Sequence, residues 1–274
     1  MITLVTVGTG TVSPSAARTS AAYWVEAGKT AGRQDSKSAD AGRRAVVPSC
    51  RLLLDCGAGT CHRLAKFGLP WFDVTHIAIS HFHPDHYGEL PAFLFALKYG
   101  AAAPRTAPLT LLGPVGLTAK LAQLATAFGD WVTAPGWPLH VVEVRPLTPV
   151  QLDDQTRLEA FHTPHTDESL AFDLRTGTGR LVYTGDTGPS DALADWAADC
   201  DLLLAECSLP DAMAMASHLT PASAGALAAR ARAKQLVLTH LYPPVEGVDI
   251  RAAVAAVYRG PVVVAGDGDR FEIG

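Results

Sequence analysis

His81-Phe82-His83-Pro84-Asp85-His86 packs three imidazoles and a carboxylate into six positions, more metal-capable groups than a simple polar loop requires. The run before it, Thr75-His76-Ile77-Ala78-Ile79-Ser80, is short and apolar in the manner of a buried strand. A strand continuing into His81 and His83 would put both rings on one face, because side chains repeat every two residues. Pro84 has no backbone donor and ends such a ladder, so the chain is expected to turn at Asp85 and His86, which can then serve a second, adjacent ion. Imidazole and carboxylate donors without thiolate favour zinc, with manganese or iron as alternatives, and an incomplete protein shell leaves a position open for water.

Around this stretch, 274 residues carry 22 Lys and Arg against 27 Asp and Glu, a formal net charge of −5, with a pI near 6.0. That balance argues against coating by nucleic acid, which leaves a basic footprint on a domain. With 48% hydrophobic residues and a mean hydropathy of +0.16, the chain can bury a sizeable core. Residues 1–7 lack the basic flank and long apolar core of a signal peptide, and no uninterrupted apolar run is long enough for a bilayer. A cytoplasmic protein with no membrane partner is expected. Cys50, Cys56, Cys61, Cys200 and Cys207 form an odd set without a CxxC pair, which fits reduced thiols better than a disulfide framework.

Strands are expected at residues 2–7, 21–26, 51–55, 109–112, 140–144, 157–161, 169–174, 180–184, 201–205, 235–239 and 262–265, and helices at 60–67, 88–99, 115–128 and 221–233. Two β-rich halves, each with helices and no linker between them, predict two sheets sandwiched inside outer helices in one domain, 1–274. The helix at 88–99 carries Leu90, Phe93, Leu94, Phe95 and Leu97, apolar on more than one face, which points to cover by the core or by a second copy in a homodimer. The polar segment 28–48 sets Lys29, Arg33, Lys37, Arg43 and Arg44 against Asp35 and Asp40 and reads either as a solvated insertion without a role or as a flap that meets an anionic substrate. Gly8-Thr9-Gly10 and Gly57-Ala58-Gly59 do not complete a dinucleotide fingerprint, because Ser13 and His62 stand where the third glycine belongs.

Further candidates follow apolar strand runs: Asp186 after Leu181-Val182-Tyr183-Thr184-Gly185, and His240 after Leu236-Val237-Leu238-Thr239. Sites in α/β proteins gather at such carboxyl ends. His165 sits in a loop between two strands, with His162 as its rival.

The order of these motifs, together with Glu206-Cys207-Ser208 and His218-Leu219-Thr220, resembles the metallo-β-lactamase superfamily over nearly the whole chain. Within it the match is to the ribonuclease Z-like branch, which includes tRNA 3′-processing enzymes and small cyclic-nucleotide phosphodiesterases. The resemblance implies a four-layer αββα sandwich and a two-metal site. His81, His83 and His165 would hold one ion, Asp85, His86 and His240 the other, and Asp186 would bridge. His165 is preferred to His162 because its distance to the following strand matches the family better. One departure stands out. The tRNA-processing enzymes carry a long substrate-gripping arm between the third and fourth motifs, whereas the 21 positions from His165 to Asp186 hold two strands and the Thr176-Gly177-Thr178-Gly179 turn.

The expectation is therefore a metal-dependent phosphodiesterase acting on a cyclic nucleotide or another small diester, with RNA 3′-end processing as the alternative. Two metals would activate a bridging water and neutralise phosphate oxygens during in-line attack. Asp85 would orient that water or accept its proton, and His218, tuned by Glu206, would protonate the leaving alkoxide. Asp55, after a buried strand, would support the site from behind. Rival hydrolytic readings are a lactonase, a β-lactamase or an arylsulfatase, and the non-enzymatic one is a metal-bound binding or sensing module.

Overall fold

The computed structural model describes residues 1–28, 30–31, 46–47 and 49–274. Most of the polar segment 28–48, and with it the flap reading, lies outside the described residues. In the first sheet, β1 (Ile2–Gly8) pairs antiparallel with β2 (Ala22–Ala27). A separate two-stranded ribbon joins β3 (Thr30–Ala31) to β4 (Val46–Val47). Next, β5 (Cys50–Leu54), β6 (His76–Ala78), β7 (Leu109–Gly113) and β8 (Leu139–Glu143) extend the first sheet, with parallel pairing from β5 onward.

The second sheet repeats this plan. Three antiparallel pairings link β9 (Val150–Asp153), β10 (Thr156–His162), β11 (Leu170–Arg175) and β12 (Arg180–Tyr183). Three parallel ones follow to β13 (Leu202–Glu206), β14 (Leu236–Thr239) and β15 (Val262–Val264). Finally β16 (Arg270–Ile273) returns to the free edge of β1. The strand orders are β16-β1-β2-β5-β6-β7-β8 and β15-β14-β13-β12-β11-β10-β9.

Alternation explains the layers. Leu52 and Leu54 of β5 join Leu202 and Leu204 of β13 in the core between the sheets, while Leu53 and Leu203 point outward, as a two-residue period requires. Strands buried on both faces read as continuous apolar runs, as the parallel halves of both sheets do. On the outer face of the first sheet, helices α1 (Thr60–Lys66), α3 (Leu90–Tyr99) and α4 (Leu117–Phe128) contribute Leu64, Phe93 and Leu121. Helices α5 (Asp191–Trp196), α6 (Pro221–Ala231) and α7 (Ile250–Ala255) cover the second with Leu193, Leu227 and Val254. The result is the four-layer αββα sandwich expected from the sequence. No helix among the described residues is long and apolar enough to cross a membrane.

Two local expectations are corrected. The helix expected from residue 88 begins only at Leu90, because Gly88 still closes the preceding turn, its N–H donating to the Pro84 carbonyl at 2.8 Å; the Glu89 carboxylate accepts from the backbone of Gly59, Thr60 and Cys61 and caps α1. The strand expected to carry His81 and His83 ends at Ala78.

Candidate metal centre

The carboxyl ends of β5, β6, β12, β13 and β14 deliver the candidate residues to one end of the sandwich. Beyond β6 the chain leaves the sheet, and His83 becomes the N-cap of a one-turn helix, α2 (Pro84–Tyr87), with Pro84 at its first position. His81 and His83 therefore meet by loop geometry, with ring centroids 4.6 Å apart, and not by strand period. Asp85 and His86 arrive on the α2 turn, which brings the His86 ring 4.1 Å from that of His81. Asp55 and His240, each just past its strand, adopt φ of 58° and 54°, a left-handed conformation that is costly for a side-chain-bearing residue and collects at functional sites.

The sequence candidates converge. His81, His83, His165 and Asp186 can each offer a donor atom within 4.8 Å of the others, as can Asp85, His86 and His240, and also Asp186, His218 and His240. Asp186 faces both main groups. Its Oδ2 lies 3.7 Å from His165 Nε2 and 3.9 Å from His81 Nε2. Its Oδ1 lies 3.2 Å from His86 Nε2 and 3.5 Å from His240 Nε2. Asp85 Oδ2 is 3.4 Å from His240 Nε2. His162 stands apart, exposed at the end of β10 with its Nε2 on the Asp167 carbonyl at 3.1 Å.

Second partners fix which ring nitrogen faces inward. The Nδ1 atoms of His81, His86, His165 and His240 are engaged by Ser80 Oγ at 3.0 Å, Asp55 Oδ2 at 2.8 Å, the Ser217 carbonyl at 2.9 Å and Ser208 Oγ at 2.9 Å. That leaves each Nε2 directed at the site, the arrangement metal-binding histidines adopt. Two observations test the fit of a cation. His81 Nε2 and Asp186 Oδ1 are buried without a hydrogen-bond partner. The Nε2 atoms of His86 and His240 face each other at 3.2 Å, so a proton or a metal ion has to lie between two lone pairs. Buried donors left open in this way suit a divalent metal.

A family model described as the β-lactamase superfamily domain matches residues 50–241, well over half of the chain and all of the candidate ligands. The chain belongs to the β-lactamase superfamily. Ribonuclease Z of Natronomonas pharaonis is 29% identical to it, over 81% of this chain and 88% of that protein. Among solved structures, the metallo-β-lactamase fold protein YhfI from Bacillus subtilis matches with a TM-score of 0.77 at 22% identity, covering 98% of each chain. The short form of human tRNase Z matches with a TM-score of 0.74 at 24% identity, covering 99% of each. Both likenesses bear out the fold. Members of the superfamily are metal-dependent hydrolases, and the His and Asp cluster of this member fits that chemistry.

In this superfamily member a hydrogen-bonded Glu206–His218 pair adjoins the cluster. Glu206, 1% exposed, accepts from Thr187 N at 2.7 Å and from the Ser208 hydroxyl, and lies 3.1 Å from His218 Nδ1. Burial resists charging His218, but the Glu206 hydrogen bond and charge outweigh it and raise its pKa above the ordinary imidazole value. The His218 ring lies 4.8 Å from that of His165 and 6.0 Å from that of His240. At His86 burial likewise opposes charge, and Asp186 with Asp55 reverses it, raising the pKa well above the usual value.

Sequence reasoning missed the orienting roles of Ser80, Ser208 and Ser217. Ser208 had a signal in its place beside Glu206. Ser217 acts through its backbone carbonyl, which no side chain announces.

Proposed function

We propose that this protein is a phosphodiesterase of one domain, 1–274, hydrolysing a cyclic nucleotide or a similar small diester at a centre of two divalent ions, zinc before manganese or iron. His81, His83 and His165 would hold one ion and Asp85, His86 and His240 the other, with Asp186 shared. The observation that carries this reading is the split of the Asp186 carboxylate, one oxygen toward each group, with the Glu206–His218 pair set beside it. Bound divalent ions supply a hydrolytic nucleophile at neutral pH and offset the charge of a phosphate. Asp85, as a ligand beside the nucleophile, would orient the attacking water or accept its proton. His218, held through Nδ1 by Glu206, has Nε2 free to protonate a departing alkoxide, a step that favours a diester with a poor leaving group. Glu206 acts through His218, which it tunes, and also anchors the Ser208 hydroxyl that engages His240 Nδ1.

A second reading, RNA 3′-end processing, draws support from relatives named Ribonuclease Z. Against it, β11 and β12 are joined by the four residues 176–179 alone, and the net charge is −5. We also propose a homodimer, supported by Phe95 and Tyr99 of α3, 49% and 59% exposed beside Trp131. A sedimentation profile of a monomer at micromolar concentration would remove it. Five free cysteines, four of them buried, support the cytoplasm.

The functional test is a panel on metal-loaded protein: cyclic AMP, bis(p-nitrophenyl) phosphate, a 3′-extended tRNA, a lactone, an aryl sulfate and nitrocefin. Chelator-sensitive turnover of both diesters is expected. Preference for the tRNA by orders of magnitude would favour the second reading. Turnover confined to the lactone, sulfate or β-lactam, or none at all, would overturn both.

A further inference from the structure

Between β13 and α6 the chain forms a tight loop at the mouth of the metal centre. A single antiparallel bridge pairs the backbone of Met215 with that of His218 across a two-residue turn. Met215 is thus tied to the residue assigned above as proton donor, and its side chain is 52% exposed. The loop is held firmly. Its Ser217 carbonyl engages His165 Nδ1, and it packs so closely on Gly188 that a Cβ there would run into the Ala216 carbonyl. From the carboxyl end of the neighbouring β14, Tyr242 brings its half-buried ring edge-on to His218 and His240, with centroids 6.2 and 5.8 Å away.

Single exposed apolar side chains need no explanation. A thioether on the residue bridged to His218 and a phenol ring set edge-on to that imidazole, both borne by anchored backbone, are a different matter. Neither carries charge, so neither is suited to the phosphate. Both suit the face of a flat heteroaromatic ring, through sulfur–aromatic contact and stacking.

We propose that Met215 and Tyr242 form the subsite that grips the base of a nucleotide substrate beside His218. This rests on the phosphodiesterase reading and narrows it, since a diester without a base would forgo the contact. Preorganisation by the Ser217 and Gly188 contacts keeps the subsite in register with the metal ligands.

Calorimetric titration of zinc-loaded protein with adenosine 5′-monophosphate and with ribose 5-phosphate isolates the share of affinity due to the base. The native protein is expected to bind the nucleotide about tenfold more tightly or better, in line with one stacked base. Met215→Ala and Tyr242→Ala should each lower that ratio several-fold at unchanged metal content, and Tyr242→Phe should keep it. Equal affinities for the two ligands in the native protein, or ratios untouched by both alanine substitutions, would overturn the subsite. Base-selective binding by a protein that hydrolyses no diester would uphold the subsite and overturn the phosphodiesterase reading instead.

Discussion

Asp55→Asn is the substitution that most sharply probes how the fold prepares its ligands. Asp55 is fully buried. Its Oδ1 accepts from Ser80 N at 2.7 Å, and its Oδ2 accepts from the Ser80 hydroxyl at 2.9 Å, His86 Nδ1 at 2.8 Å and the Tyr183 hydroxyl at 2.6 Å. Asparagine matches the volume and tolerates the left-handed backbone, so the change isolates charge and hydrogen bonding. If the amide oxygen keeps Ser80 N, the NH2 group meets three donors. The two hydroxyls can rotate to accept, but His86 can accept only by moving its proton to Nε2, which closes the atom directed at the metal. If the amide turns the other way, its NH2 confronts the fixed Ser80 N–H. Hydrogen bonds to a charged group contribute about 1.5–3 kcal/mol each, so losing one or leaving it opposed should cost about 2–3 kcal/mol of stability in urea. Loss of an orienting partner lowers metal affinity about 10- to 100-fold, measurable by competition with a chromogenic chelator. Native metal affinity together with native stability in the Asn variant would refute the argument that Asp55 sets the His86 tautomer.

Two other expectations follow from specific groups. His218→Ala should retain metal while kcat for a diester that expels a ribose alkoxide falls by about 10²- to 10⁴-fold, and release of p-nitrophenolate should suffer far less; metal loss would instead make His218 a ligand, as its reach to Asp186 and His240 permits. His76, at the start of β6, has its pKa lowered to about 4 by burial, so protonation favours the unfolded chain: its contribution is complete above about pH 6.5 and is lost as pH falls toward 4. The stability difference between the native protein and His76→Asn should therefore shrink by about 2 kcal/mol from pH 7 to pH 5, and urea curves shifting in parallel would contradict it.

Much of this centre was legible because its candidate ligands are concentrated in one motif or follow apolar strands. His81, Asp186 and His240 need only the rule that sites form at the carboxyl ends of strands. Period-two reasoning carried His81 and His83 on a strand, but the ladder ends at Ala78 and the convergence comes from a loop and a one-turn helix. The polar β9 and the edge strand β16 escaped notice because short edge strands have little apolar pattern to read. His165 and His162 differ in burial and partners, which exist only in the folded chain. Asp55 was recognisable as a supporting group, yet its link to His86 spans 31 residues and to Tyr183 spans 128, distances at which sequence carries no register.

The central claim, a phosphodiesterase that works through two ions sharing Asp186, is tested most directly by adding zinc stepwise to metal-stripped protein while following bis(p-nitrophenyl) phosphate hydrolysis. The rate should climb to a plateau at about two equivalents per chain, as two donor groups around one bridging carboxylate require. A plateau at one equivalent, or no hydrolysis in protein carrying both ions, would contradict the account.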